Sequence, residues 1–197
     1  MKTLSLYDFD GTITRKDSLF LFLKFSVSPG KWISGLLIFS IPFVLAKLGL
    51  LSRNVVKERF ISYFLKGHSK ESLQEKAVKF LERLLDNNIF RPSALESIES
   101  AKELGEVSIV TASLEIWMNL IASHLGVELI ATNSAFKEGY FTGKFHGPNC
   151  NYEEKPIRVI AKYDLESYDK VIYYGDSKGD LAMKPIVHDF HLNKFKD

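Results

Sequence analysis

Leu4-Ser5-Leu6-Tyr7-Asp8-Phe9-Asp10-Gly11-Thr12-Ile13-Thr14 is the stretch on which the reading of this chain turns. An apolar run stops at a carboxylate, a second carboxylate follows two residues later, and Gly-Thr turns the chain. Leu4, Leu6 and Tyr7 predict a short buried strand, and Gly11 relieves the backbone where that strand ends. Ligands of a parallel sheet gather at the carboxyl ends of its strands, so Asp8 and Asp10 stand where chemistry would be placed. Two acids this close raise each other's cost of ionisation unless a proton or a cation intervenes. A divalent cation is the direct remedy, because hard cations take carboxylate oxygens. The plain alternative is an acidic loop after a strand.

The chain around this stretch has 197 residues, 46% of them hydrophobic, which suits a globular protein that is one domain with an insertion. A net charge of +2 gives no argument for nucleic acid or for a strongly acidic partner. Cys150 is the only cysteine, so no internal disulfide forms and a reducing compartment is expected. Met1-Lys2-Thr3 enters the first strand directly and shows no signal-peptide anatomy, so a cytoplasmic location is expected.

Beyond the opening motif, Asp17 to Phe25 is apolar nearly all round, and Ser28-Pro29-Gly30 breaks it. Trp32 to Ser52 is unusual: no charge falls between Trp32 and Leu45, and Lys47 is the only one before Arg53. A membrane-spanning helix needs about 20 apolar residues, so this run is borderline, and Pro42 and Lys47 weaken it. Two readings stay open. Two short helices could bury one another, or residues 32–51 could present an apolar surface that lies on a bilayer or accepts an acyl chain. Asn54 to Lys66 and Ser69 to Asn87 carry apolar residues at helical spacing, with Ser69 as an N-cap. A helical block therefore runs from Asp17 to about Phe90.

Strands then alternate with helices. Pro92–Leu104, Leu114–Leu125 and Lys155–Tyr163 read as helices, and Val107–Val110, Glu128–Thr132, Lys170–Tyr174 and Ile186–Leu192 as strands. Phe136 to Phe145 reads as a hairpin. The alternation predicts an α/β fold, a Rossmann-like parallel sheet with helices on both faces.

Asp8 and Asp10 follow the first strand, Thr111 the second, Lys155 opens a helix, and Asp176 with Asp180 follows a late strand. Taken singly, Lys155 reads as a surface lysine, Thr111 as a strand-end cap and Asp180 as a first-turn acid. Together they supply what phosphoryl transfer needs: a carboxylate nucleophile, a proton carrier, metal ligands and donors for phosphate oxygens. His188 and His191 flank Asp189, but their spacing puts them on opposite faces of a strand, which argues against a zinc site.

The chain resembles phosphatases of the haloacid dehalogenase superfamily. The resemblance rests on Asp8-Phe9-Asp10-Gly11-Thr12, Val110-Thr111-Ala112-Ser113, Lys155, and Gly175-Asp176-Ser177-Lys178-Gly179-Asp180. It implies that Asp8 is a nucleophile forming an aspartyl-phosphate and that Asp10 is the general acid, then base. It further implies Mg²⁺ held by Asp8, the Asp10 main-chain oxygen and Asp176 with Asp180 in support, and a phosphoryl group bound by Thr111 and Lys155. Dehalogenases of the superfamily lack the second Asp, so Asp10 favours phosphate ester hydrolysis.

The helical block, the hairpin and the approach to Lys155 resemble the phosphoserine phosphatase-like branch, with residues 16–90 as a helical cap on a core of residues 1–15 and 91–197. By that resemblance the amino-acid-binding positions fall on Asp17 and near Arg59, with Ser113 beside the substrate. Trp32–Leu51 is similar to the long apolar cap segment of bacterial phosphatidylglycerophosphatases of the C type, as is Gly67-His68-Ser69. That similarity implies a phospholipid monoester substrate. A soluble small monoester, a phosphotransferase with the same intermediate, and a silent binding protein are the alternatives.

Overall fold

Thr3–Tyr7 forms strand β1, and every residue in it is buried. The computed structural model describes residues 2–197. Four helices follow β1 without an intervening strand: α1 (Ser18–Ser26), α2 (Pro29–Lys47), α3 (Arg53–Leu65) and α4 (Lys70–Asp86). Next come α5 (Pro92–Leu104), β2 (Gly105–Leu114), α6 (Glu115–Leu125) and β3 (Glu128–Thr132). The hairpin β4 (Ser134–Lys137) and β5 (Tyr140–Phe145) leads to α7 (Glu154–Lys162), β6 (Lys170–Gly175) and β7 (Asp189–Leu192).

The main sheet has five strands in the order β3-β2-β1-β6-β7, and every pairing is parallel. Sequential strands go to opposite sides of β1, which makes its carboxyl end the switch point where α/β sheets bind ligands. Tyr7 pairs with Ile109 on one side and Tyr174 on the other. That register brings Asp8–Asp10, Thr111 and Asp176 to one edge.

The two faces of β1 explain its apolar character. Leu4 and Leu6 pack with Val159, Val171, Tyr173 and Met183 on one face. Tyr7 points the other way, into a cluster with Ile98, Ile109 and Trp117 that continues into the inserted helices. Phe22 of α1 stacks on Trp117 of α6 with ring centroids 4.6 Å apart, so the insertion shares its core with the sheet layer. Phe60 of α3 is the hub on the far side, touching Phe20, Trp32, Phe39, Phe43 and Phe64.

Three sequence expectations need correction. Residues 32–52 do not form two short helices that bury each other; α2 is a single helix running through Pro42. Its partner is α3, which receives one stripe of α2 containing Gly35, Phe39 and Ala46, the buried residues of the helix. Gly35 is required there, since a Cβ would lie 2.1 Å from the Phe64 ring. Second, β2 is longer than Val107–Val110 and continues through Thr111–Ser113 with a register irregularity between Val110 and Leu114. Third, the last strand begins at Asp189, because Lys178–Ile186 winds as a 3-10 turn. His188 is used locally, its Nδ1 accepting from the Val171 amide at 2.9 Å.

Because Phe60 is fully buried at the meeting point of α1, α2 and α3, Phe60→Ala is expected to destabilise the chain by about 3–5 kcal/mol. Equilibrium urea unfolding measures this. A loss below about 1 kcal/mol would show that the aromatic cluster collapses to fill the gap.

Candidate active site

The Asp8 amide donates to the Tyr174 carbonyl at 2.8 Å, which prolongs the β1–β6 ladder and turns the Asp8 side chain over the sheet edge. Gly11 follows at φ 86°, and a Cβ there would meet Asp176 Oδ2 at 2.2 Å. The turn therefore needs glycine both for its backbone and for the approach of Asp176.

Lys155, buried in the first turn of α7, donates to Asp8 Oδ1 at 2.7 Å, to Asp180 Oδ1 at 2.6 Å and to the Tyr173 hydroxyl at 2.9 Å. Tyr173 in turn donates to Asp180 Oδ1 at 2.7 Å. Asp180 Oδ2 accepts from the Asp176 and Ser177 amides and from the Ser177 hydroxyl, within the capping box that opens the 3-10 turn. Burial works to raise the Asp180 carboxyl, but Lys155, Tyr173 and Ser177 overcome it and hold it below its usual range. Asp8 goes the other way. Burial outweighs the pull of Lys155, and with Asp180 and Asp10 nearby its pKa is pushed up to about 8. Burial also opposes the Lys155 charge, yet Asp8, Tyr173 and Asp180 keep its pKa well above the usual value.

Asp10 is held from two elements at once. Oδ1 accepts from the Ser18 amide at the start of α1, and Oδ2 from the Ser113 hydroxyl, both at 2.6 Å. Ser113 was expected beside the substrate; it lines the same cavity as Asp8 and Asp10, where its hydroxyl donates to Asp10 and its amide donates to Thr111 Oγ1 at 3.1 Å. Asp17 is the N-cap of α1, with Oδ1 accepting from the Leu19 and Phe20 amides. Within the cavity, desolvation and the charge of Asp10 raise its pKa to about 6.

Asp8, Asp10, Asp17, Thr111, Ser113, Lys155 and Asp176 line one cavity of about 600 Å³, with Asp180 buried directly behind Lys155. Arg59 does not join them. It is exposed, because on α3 a residue two positions from Lys57 lies about 200° round the helix. Lys57 takes the inward place and was missed. Its Nζ donates to the Ala112 carbonyl at 2.7 Å and to Asn149 Oδ1 at 2.9 Å. Desolvation lowers its pKa to about 8, against the opposing pull of Asp10 and Asp17. Tyr173 and Ser18 were also missed: the first read as an ordinary strand aromatic, and the second matters through its backbone amide, which no side-chain pattern signals.

The donor set suits a divalent cation. Asp8, Asp176 and Asp180 each place a carboxylate oxygen within 4.8 Å of the others. Asp8 Oδ2 and the Asp176 side chain accept no hydrogen bond from another residue among those described, whereas both oxygens of Asp180 are engaged. Burial and the charge of Asp180 raise the Asp176 carboxyl as well, so the site is short of positive charge where a cation would sit.

Comparisons with known proteins bear on the family and the fold. The chain is 30% identical over 189 residues to Protein CicA of Caulobacter vibrioides, covering 94% of this chain and 83% of that protein. A crystal structure of a protein of unknown function from Bordetella pertussis Tohama I superposes with a TM-score of 0.85 at 22% identity, covering 96% of this chain and 89% of that one. A substrate-bound phosphoserine phosphatase gives a TM-score of 0.70 at 19% identity, over 98% of this chain and 86% of that one. A phospho-aspartyl intermediate analogue of phosphoserine phosphatase gives 0.67, also at 19% identity, over 99% and 95%. At such identities the structural likeness is one of fold. A family model for haloacid dehalogenase-like hydrolases matches residues 6–184, and with the carboxylates and Lys155 gathered at the switch point of its sheet, the chain belongs to the haloacid dehalogenase-like hydrolase family.

Proposed function

We propose that the chain is a Mg²⁺-dependent phosphomonoester hydrolase working through an aspartyl-phosphate on Asp8, with residues 16–90 as a cap over the cavity. The observation that carries this reading is the pairing of two differently treated acids. Asp8 is held by Lys155 with one oxygen free, and Asp10 is aimed by Ser18 and Ser113 in the same cavity. Family membership and the phosphoserine phosphatase fold support it.

In the first step an Asp8 carboxylate oxygen attacks phosphorus and the P–O bond to the leaving alcohol breaks. Asp10 delivers a proton to that alcohol. In the second step Asp10 takes a proton from water, the water oxygen attacks phosphorus, and the bond to Asp8 breaks, releasing phosphate. Lys155 and Thr111 would bind phosphoryl oxygens, and Lys155 also balances Asp8 against Asp180. Mg²⁺ held by Asp8 and Asp176, with Asp180 in support, would neutralise charge on the transferring group. If an acceptor alcohol takes the place of water, the same intermediate makes the chain a phosphotransferase.

For the substrate, the reading is a phospholipid monoester such as phosphatidylglycerophosphate. It is supported by the apolar side of the cavity, where Leu19, Phe20, Phe43, Ala46 and Val56 face the acids, and by a volume generous for a small soluble monoester. One observation favours a second reading: Asp17 and Lys57 offer opposite charges in the same cavity, as a zwitterion such as phosphoserine would require. Hydrolysis of phosphatidylglycerophosphate in mixed micelles, set against phosphoserine, separates the two.

Asp8→Asn is expected to abolish Mg²⁺-dependent hydrolysis of an aryl phosphate, by at least about a thousandfold in kcat. A variant as active as the parent would sink the mechanism. Lys57 should hold an anionic substrate while charged, so KM is expected to rise as pH climbs through about 8. Lys57→Met should raise KM below that pH and flatten the rise, while Arg59→Ala leaves both alone. A KM profile unchanged by Lys57→Met would remove the residue from substrate binding.

A further inference from the structure

Helix α2 is apolar on all sides yet is packed on only one. Its Gly35–Phe39–Ala46 stripe is covered by α3, while Ile33, Leu37, Ile38, Ile41, Val44 and Leu48 face outward. Leu37 is 71% exposed and Ile41 69%. Leu50 and Leu51 in the following turn extend the same surface. Helices apolar all round are ordinarily enclosed by protein or by lipid, and exposed patches of this kind mark interaction surfaces.

The charge around the patch narrows the occupant. From Ser18 to Lys57 the chain has no acidic residue, and its charges are Lys24, Lys31, Lys47, Arg53 and Lys57. Lys31 lies near one end of α2, with Lys47 and Arg53 near the other, and all three are exposed. A second copy docking through the same face would bring these cations together with no carboxylate in the stretch to pair them. An anionic bilayer meets both demands: acyl chains for the leucines and isoleucines, and headgroup phosphates for the flanking cations.

Geometry decides between lying on the bilayer and crossing it. Pro29–Lys47 has the length and hydropathy of a span, but crossing would strip Phe39, Phe60 and Phe64 of their packing. That packing suits a helix lying along a surface and not one crossing a bilayer. Lys47 and Arg53, exposed at the end of α2 and the start of α3, also line the cavity that holds the acids, so the cationic edge of the bare face adjoins that cavity.

We propose that the outer face of α2 and the α2–α3 turn form an interfacial docking surface for an anionic bilayer, setting the mouth of the cavity against the headgroups. This deepens the lipid-phosphate reading of the substrate, but binding is measured independently of catalysis.

The test is co-sedimentation of the full chain with vesicles of phosphatidylcholine alone and of phosphatidylcholine mixed with phosphatidylglycerol. The chain is expected to sediment with the anionic vesicles and much less with the neutral ones. Leu37→Glu/Ile41→Glu should need at least about tenfold more lipid for half-binding, with its thermal unfolding midpoint and aryl phosphate hydrolysis unchanged. Asp8→Asn should bind vesicles like the parent, so a failure of the hydrolase reading leaves the docking result legible. Parent protein that stays in the supernatant, as a monomer or as a dimer that the double variant splits, overturns the proposal. Equal binding to neutral vesicles overturns the anionic assignment.

Discussion

One ammonium between two buried carboxylates is the constraint on which the site rests. Lys155 reaches Asp8 and Asp180 from α7, while the acids come from the ends of β1 and of the β6 turn. Removing one partner of such a buried pair ordinarily costs about 3–5 kcal/mol, because the remaining charge is stranded. Lys155, Asp8, Asp180 and Tyr173 therefore behave as a unit. The unit is also unbalanced: Asp8 and Asp176 add more negative charge than Lys155 offsets, and both carboxyls are raised. A site poised in this way gains most from a cation and from donors to phosphate, and the proposed chemistry uses that imbalance.

The inserted helices complete the site and do not merely cover it. α1 supplies the Ser18 amide that orients Asp10, and α3 supplies Lys57, which reaches across to Ala112 and Asn149. Those polar links run beside a hydrophobic cluster that extends from Tyr7 through Trp117 and Phe22 to Phe64. Movement of the insertion would thus disturb both the aim of Asp10 and the position of the cavity cation. α2 stands apart in this respect, since most of its surface is committed to nothing inside the protein.

Much of the architecture was legible because its signals are local. Asp8-Phe9-Asp10-Gly11-Thr12 shows a strand end, two acids and a turn within a few residues, and alternating apolar segments mark the strands that flank it. Lys155 and Asp180 were legible as members of a family pattern, and the structure brings them to Asp8. Arg59 was set at the site although its side chain turns away from it. A residue's role depends on where its side chain points, and two positions along a helix reverse the outcome. Two readings of residues 32–52 stayed open because periodicity reports where a helix is apolar and not how many neighbours the fold provides to cover it; the single, half-covered α2 removes the pair of mutually burying helices.

The sequence by itself determined the order of strands and helices, the acids and the lysine available for chemistry, and an apolar run free of acidic charge. Those follow from residue type and spacing, which are local properties of the chain. Only the tertiary structure decided that Lys57 and not Arg59 faces the acids, that Ser113 serves Asp10, that Tyr173 joins the Lys155 network, and that α2 lies bare on one side. Each depends on side-chain direction and on contacts between residues distant in the chain, which packing sets and sequence spacing does not.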